Sequence, residues 1–296
     1  MALFALSTGN AFACACGCGV FSVGTSSLFP NGSGGTAFLE YDYMNQDRNW
    51  DGSSSAPLAQ NDDKNIRTDF YTVGARYMFN RDWGLSVEVP YWDRLFITTL
   101  DSGGTGGFHH AALGDIRLLG MYTGFSADLS SGLLFGLKLP TGDYTYPNFD
   151  RDTSIGTGST DAIVGAYHEA ALDAAHTWNW FVQGQWQQAL VTRGGYRPGN
   201  ELDAAGGIYY NGWEIGSKSQ LSPVMQMIVS SRASDSGAEA SPDNSGYNRL
   251  LIAPGLEFDS GAFRLYADIE LPVYQHVTGN QLVATRQYKL VLSYKF

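Results

Sequence analysis

The last ten residues of the chain, QYKLVLSYKF, have the pattern of a strand with two different faces. Successive side chains of a strand point to opposite sides of its sheet. The apolar side chains that share one side are Tyr288, Leu290, Leu292, Tyr294 and Phe296. The opposite side carries Gln287, Lys289, Val291, Ser293 and Lys295. An apolar band with aromatic ends is typical of a strand that crosses a bilayer, and an edge strand of a soluble sandwich is the alternative.

The same alternation recurs from residue 36 onward and predicts about twelve strands. The clearest repeat covers residues 263–273, where apolar side chains stand at every odd position. Short turns alternate with longer polar loops, as in an even-stranded barrel with both ends in the periplasm. Residues 93–99 break the alternation and predict a bulge above the membrane. The predicted fold class is all-β, a transmembrane antiparallel up-and-down β-barrel over residues 36–296.

Composition agrees with this fold class. The sequence contains no run of about 18 or more apolar residues, which excludes membrane-spanning helices. Its mean hydropathy is -0.17, as expected when only alternate residues meet lipid. The net charge of -11 argues against a nucleic-acid partner, because no basic patch could offset repulsion by the phosphates.

The N-terminal segment indicates export. Residues 1–13, MALFALSTGNAFA, combine a short apolar core with Ala11-Phe12-Ala13, which fits the A-x-A rule for signal cleavage. The positive residues that normally precede such a core are missing, so either the natural start lies upstream or the segment is not a signal. We interpret residues 1–13 as a signal-peptide remnant, because the rest of the chain has the pattern of an exported protein.

All three cysteines follow within five positions, at Cys14, Cys16 and Cys18. Thiols at this spacing could bind a soft metal such as Cu(I), while an oxidising periplasm would pair two of them and leave one. Lipidation of Cys14, or loss of the cysteines with the signal, are further alternatives. Residues 14–35 are predicted to form a Cys/Gly-rich segment that partly plugs the barrel.

Charged and amide side chains occupy the positions predicted to face the lumen. Together they predict a polar channel lining, with opposite charges paired across strands. The predicted lining residues are Arg67, Arg76, Glu88, Asp115, Arg117, Lys138, Asp161, Glu169, Gln183, Gln185, Arg249, Glu257, Arg264, Asp268, Glu270 and Lys289. Paired carboxylates could also serve acid–base chemistry, but charge ladders are the simpler interpretation and no enzyme is predicted.

Two polar loop clusters have other interpretations. His109-His110 lacks a nucleophile that the sequence can identify, so Ser/His/Asp hydrolysis is a minor hypothesis. Asp62-Asp63 and Asp150-Arg151-Asp152 could recruit calcium but lack EF-hand spacing. Solvated loops are the favoured interpretation of these acidic segments.

Two motifs resemble a known family. The segment GLKLPTGD at 136–143, followed by GTGSTD at 156–161, is similar to the transporter-type barrels grouped as "MetA-pathway of phenol degradation" proteins. The resemblance implies passage of small, often aromatic or hydrophobic compounds through the outer membrane. Physically, the first motif is a strand exit into a polar loop, and the second is a re-entry whose glycines let loops fold close. The C-terminal Phe296 likewise resembles the closing-strand signature that outer-membrane assembly machinery reads.

The sequence therefore predicts a bacterial outer-membrane channel for passive passage of small solutes. Its predicted partners are membrane lipid, the assembly machinery and the solutes themselves. A metal-binding or electron-transfer barrel using Cys14, Cys16 and Cys18 is the first alternative, and a structural outer-membrane protein is the second.

Overall fold

The computed structural model describes residues 29–30, 32–211 and 213–296. Almost all of the regular structure in this part of the chain is antiparallel strand. The strands are β1 (Gly34–Gly52), β2 (Ser54–Ser55), β3 (Asp63–Met78), β4 (Trp83–Thr99), β5 (Thr105–Leu113), β6 (Arg117–Tyr122), β7 (Ser131–Lys138), β8 (Thr160–Ala171), β9 (Trp178–Val191), β10 (Glu201–Tyr210), β11 (Trp213–Ile215), β12 (Ser219–Arg232), β13 (Tyr247–Ser260) and β14 (Phe263–Lys295). None of the helices found there is long and apolar enough to cross a membrane.

The sheet closes on itself through β14. This strand bends near Gly279, whose φ of 65° is left-handed. Residues 263–277 pair with β13, and residues 277–295 pair with β1. The Lys295 amide donates to the Ala262 carbonyl at 2.8 Å, so the two halves lie side by side. With β14 counted twice, the short β2 and β11 set aside, and β5 with β6 taken as one interrupted strand, about twelve strands form the wall, which confirms the predicted barrel.

The outer face of the wall is apolar. Val73, Val164 and Ile269 are among the outward side chains that the protein leaves exposed. Exposed aromatic side chains gather at the short-turn end, at Phe79, Trp83, Phe125, Trp178, Phe263, Tyr294 and Phe296. A second row lies farther up, where Tyr41, Tyr71 and Tyr91 stand opposite one another on β1, β3 and β4. A continuous apolar band between two aromatic girdles is the lipid-facing surface of a membrane barrel.

The inner face is polar and partly filled. The side-chain ammonium of Lys289 is fully buried, 3.0 Å from Glu40 and 3.1 Å from Asp42. Small apolar clusters lie between such charges, and one joins Phe38, Phe181, Val224, Tyr266 and Val291. Ion pairs across neighbouring strands satisfy buried charges that would otherwise be costly inside the wall.

The predicted bulge in β4 is wrong, because the register shift opposite Ile97 and Thr98 places the extra residue, Lys64, in β3. The register between β3 and β4 runs without a shift from Asn65 opposite Ile97 to Met78 opposite Gly84. The side chains still alternate there, but polar residues now occupy the outer face. Phe96 is buried inside, whereas Asp93 points outward to His109. Above the lipid the outer face meets water, so a carboxylate can occupy it. His109 and His110, which were predicted to belong to a polar loop cluster, lie in strand β5.

A charge on the lipid face should destabilise the barrel. Ile269 is 42% exposed and lies midway along the first half of β14. We expect Ile269→Arg to lower the free energy of unfolding in lipid vesicles by about 2–4 kcal/mol, the usual cost near the bilayer centre. Ile269→Leu is the matched control and should change it by less than about 1.5 kcal/mol. Equal stability of the two variants in denaturant titrations would contradict the assigned lipid face.

Candidate functional site: the barrel interior

A cavity occupies one side of the barrel interior. About 1670 Å³ inside it, partly open to solvent, is free of protein atoms. Its walls come mainly from β1, β3, β4 and β6–β9, with Phe70, Trp92 and Leu119 on apolar stretches. Gln183, Gln185 and Gln187 line it at alternate positions of β9. The cavity therefore offers both apolar and polar contacts to a small molecule.

The opposite side of the interior is closed by polar packing. Gln226 donates to the Tyr266 hydroxyl at 2.9 Å and to Asp268 at 3.0 Å. The Tyr247 hydroxyl donates to Glu201 at 2.7 Å. These bonds connect β10, β12, β13 and β14, although Gln226 Oε1, Asp268 Oδ1 and both carboxylate oxygens of Glu270 have no hydrogen-bond partner.

The periplasmic end of the cavity is narrowed by the segment before β1. The Phe29 ring stacks on Tyr167 with centroids 4.4 Å apart, and it meets Phe181 edge-on at 6.0 Å. Phe29 and Pro30 both line the cavity. These two residues lie where a plug from residues 14–35 would enter, and most of that segment lies outside the described residues.

The extracellular end is narrowed by the connection between β7 and β8, residues 139–159, which we call L3. Phe149 of L3 packs in a cluster with Ile66, Phe96 and Leu282. Arg94, which is buried, donates from Nη1 to the Thr153 carbonyl and from Nε to Thr68. L3 thus folds into the barrel and places Ser154, Ile155 and Gly156 on the cavity wall.

The base of L3 is held by one carboxylate. Asp115 accepts the Gly142 amide on Oδ1 at 2.9 Å. Its Oδ2 accepts the Thr157 amide at 2.9 Å and the Thr157 hydroxyl at 2.6 Å. Lys138 lies 3.5 Å from Asp115 and 2.7 Å from Asp161. We call these residues, with Gly156, the L3 clasp.

Two glycines let the ends of L3 touch. A Cβ at Gly156 would lie 2.3 Å from the Gly142 carbonyl carbon, and one at Gly142 would lie 2.7 Å from the Gly156 Cα. Neither glycine has positive φ, so close approach rather than backbone conformation requires the missing side chain. The motifs 136–143 and 156–161 therefore build the L3 clasp.

L3 also completes the wall beside β5. β7 pairs only with β6 on that side, so no strand covers the outer edge of β5 within the described residues. Tyr146 of L3 donates to the His109 carbonyl at 3.2 Å and stacks on His110 at 3.8 Å. His110 also bonds Asp143 at 3.1 Å. At this point the barrel wall is an irregular loop instead of a strand.

The two acidic loop segments meet at the extracellular end. Asp63 is 1% exposed, and its Oδ2 has no hydrogen-bond partner. Burial, with the nearby charges of Asp152 and Asp62, raises the pKa of Asp150 to about 7. In the described part of the chain, no group of three or more His, Cys, Asp or Glu is arranged to hold a metal ion. The described residues therefore provide no coordination geometry that supports the calcium hypothesis.

The structure orients all of the predicted lining residues except Arg67 inward. Arg67 is exposed on the outer face, on the same side of β3 as Tyr71 and Val73. The prediction that Arg67 faces the lumen required the alternation of β3 to shift by one residue near Phe70. The pairing of β3 with β1 and β4 is continuous there. Because the alternation is unbroken, Phe70 points inward and Arg67 outward. Whether the inward residues act on a passing solute remains a prediction.

Several interior residues were missed. For the residues on β10 and in L3 the sequence signal was weak, because glycines blur the register of β10 and L3 has no periodicity. The omitted charged residues include Glu40, Asp42, Arg94, Arg151, Asp203 and Arg232. Glu40 and Asp42 share one face of β1 by parity, and that signal could have found them. Cys14, Cys16 and Cys18 lie outside the described residues, so their metal or redox role stays a prediction.

Comparison with known proteins agrees with this fold. No protein-family model matches the chain, and no curated protein matches it. The structure is similar to the COG4313 outer membrane channel from Pseudomonas putida F1, with a TM-score of 0.67, 12% identity, and coverage of 93% of this chain and 100% of that one. It is also similar to the β domain of the Bordetella autotransporter BrkA, with a TM-score of 0.51, 10% identity, and coverage of 89% and 100%. The chain has an outer-membrane β-barrel fold.

The close packing of the L3 clasp predicts that a side chain at Gly156 would displace L3. We expect Gly156→Ala to force L3 away from Gly142, because the new Cβ meets backbone, and to cost about 1–3 kcal/mol of stability. Single-channel recordings in planar bilayers should show larger or more frequent open currents. Gly107→Ala is the control, since its Cβ would meet only Ile97 at 3.9 Å. Identical currents and stability in the two variants would contradict the clasp.

L3 docking should depend on pH through Asp150. The carboxyl has an ordinary pKa of 3.8 and a pKa of about 7 when L3 is docked, so the docked form retains a proton that the undocked form releases. Docking is therefore strongest below about pH 4, weakens as pH rises toward 7 and is weakest above it. We expect more frequent open currents at pH 8 than at pH 5, and a smaller difference in Asp150→Asn. An unchanged pH response in this variant would exclude Asp150 as its source.

Proposed function

We propose that this protein is an outer-membrane channel for passive passage of small solutes with apolar or aromatic bodies. The observation that carries the proposal is the cavity, which lies inside a closed wall with a lipid-facing exterior and is narrowed at both ends by non-strand segments. A wall paired by strands, with non-strand inserts at its ends, suits controlled passage. It does not require any chemical step, so the proposed role is not enzymatic.

The cavity lining supports a restricted range of solutes. Phe70, Trp92 and Leu119 provide apolar contact, whereas the three glutamines of β9 provide amide donors and acceptors. Sites that bind small organic molecules combine apolar walls with a few polar groups in the same way. A small molecule with an apolar body and a polar group would find partners for both parts.

L3 is the element whose movement would open this interior. It contributes residues to the cavity wall, and it also fills the wall beside β5. Its polar bonds to the barrel lie at the clasp, at Arg94 and at His109 and His110, while the rest of the loop is irregular. One displacement of L3 would therefore widen the extracellular end and loosen the wall next to it.

The comparisons support the same proposal. The Pseudomonas putida protein of similar fold is described as an outer membrane channel. All clasp residues except Asp115 belong to the motifs 136–143 and 156–161, on which the resemblance to phenol-degradation transporters depends, and in this chain they position L3. We extend the proposal to hydrophobic or aromatic compounds on this combined basis.

Phe29 should limit passage at the periplasmic end. We expect Phe29→Ala to raise the rate of swelling of proteoliposomes in small neutral solutes several-fold, because its ring fills space against Tyr167 and Phe181. The wild-type barrel should itself swell faster than protein-free liposomes. Phe79→Ala, which removes an exposed outward ring, is the matched control and should behave as wild type. A wild-type rate equal to that of empty liposomes would overturn the channel function.

A further inference from the structure

We propose that the periplasmic floor of the cavity binds the carboxylate of small organic acids with apolar bodies, and that Arg76 holds this group. The inference deepens the proposed function, on which it rests, by naming one class of solute. Arg76 is half-buried, its Nε is fully buried, and neither this Nε nor the neighbouring Ser86 hydroxyl has a hydrogen-bond partner.

Arg76 lies on β3, lines the cavity, and has a buried Nε without a hydrogen-bond partner. Among residues 29–30, 32–211 and 213–296, no hydrogen bond or ion pair reaches its guanidinium. The groups that act on it electrostatically are Glu88 and Tyr167. Glu88 itself faces Arg117, with 3.9 Å between its Oε2 and Arg117 Nη1.

Other cations near the cavity, unlike Arg76, have hydrogen-bond or ion-pair partners within the protein. Lys138 is paired with Asp161 at 2.7 Å, and Arg232 is paired with Asp235 at 2.6 Å. Arg117 donates to Gln187 at 2.9 Å. A buried charge is normally paired, since removing it from water without a partner is costly. Arg76 therefore marks a place where an anion from solution would supply the missing partner.

A second donor stands beside Arg76. Ser86 lies directly opposite it on β4 and is fully buried, and its Oγ has no hydrogen-bond partner. Ser86 is adjacent to Arg76 but does not itself line the cavity. The guanidinium fork of Arg76 is therefore the group that a carboxylate in the cavity would meet, and it offers two parallel bonds.

The surroundings select the body of the acid. The Phe38 ring covers Gly74 on β3, and Phe29 and Tyr167 stack near the same end of the cavity. Met121 and Leu134 also line the cavity. An aromatic or short aliphatic body would replace water against these side chains, which is favourable. A monoanion would also add only one negative charge beside Glu88, whereas a doubly charged phosphate would add two.

The test is equilibrium binding to the full-length barrel in detergent, measured by isothermal titration calorimetry with benzoate and with neutral benzyl alcohol. We expect the wild type to bind benzoate at least tenfold more tightly than benzyl alcohol. Arg76→Gln should remove this preference, and Arg76→Lys should retain part of it. Arg67→Gln makes the same charge change on the outer face of the same strand and should leave binding unchanged.

Equal binding of the two compounds by the wild type would overturn the inference without any variant. So would an unchanged benzoate preference in folded Arg76→Gln protein, or an equal loss in Arg67→Gln. Swelling of wild-type proteoliposomes in small neutral polar solutes that do not cross protein-free liposomes separates the two proposals. Normal swelling without benzoate preference would reject the carboxylate site and keep the channel, whereas benzoate binding without any swelling would reject the channel and keep the site.

Discussion

Closure of the sheet is the constraint on which the rest of this structure depends. Every backbone amide and carbonyl inside a bilayer must be bonded within the protein, and a sheet satisfies this only when its edges meet. Here the meeting point is the pairing of β1 with β14, from Thr36 opposite Lys295 to Gly52 opposite Val277. Closure separates an apolar exterior from a wet interior, and alternate residues of each strand then meet different solvents.

Inside the closed wall, the inward side chains are removed from bulk water although they are polar. The two sides of the interior accommodate these side chains differently. One side pairs charges and amides across β10, β12, β13 and β14, so that little space remains. The other side keeps a cavity and borders it with the inserts at Phe29 and L3. The interior is therefore packed on one side and hollow on the other.

The L3 clasp shows how a short motif acquires a function. Thr157 and Gly142 are distant in sequence from Asp115, yet the same carboxylate bonds both. Glycine at 142 and 156 permits the contact, and Lys138 balances the charge between Asp115 and Asp161. The motif requires no catalytic group, because it positions L3, and L3 narrows the cavity and completes the wall beside β5.

The sequence by itself determined the class of fold, the strand count and which face of most strands meets lipid, because a period of two is a local property of the chain. It also placed residues such as Glu270 and Lys289 on the inner face. Only the tertiary structure decided that Arg67 points outward, that β4 has no bulge, and that Asp115 and Thr157 meet. Those facts depend on strand register and on contacts between distant segments, which alternation within one strand does not contain.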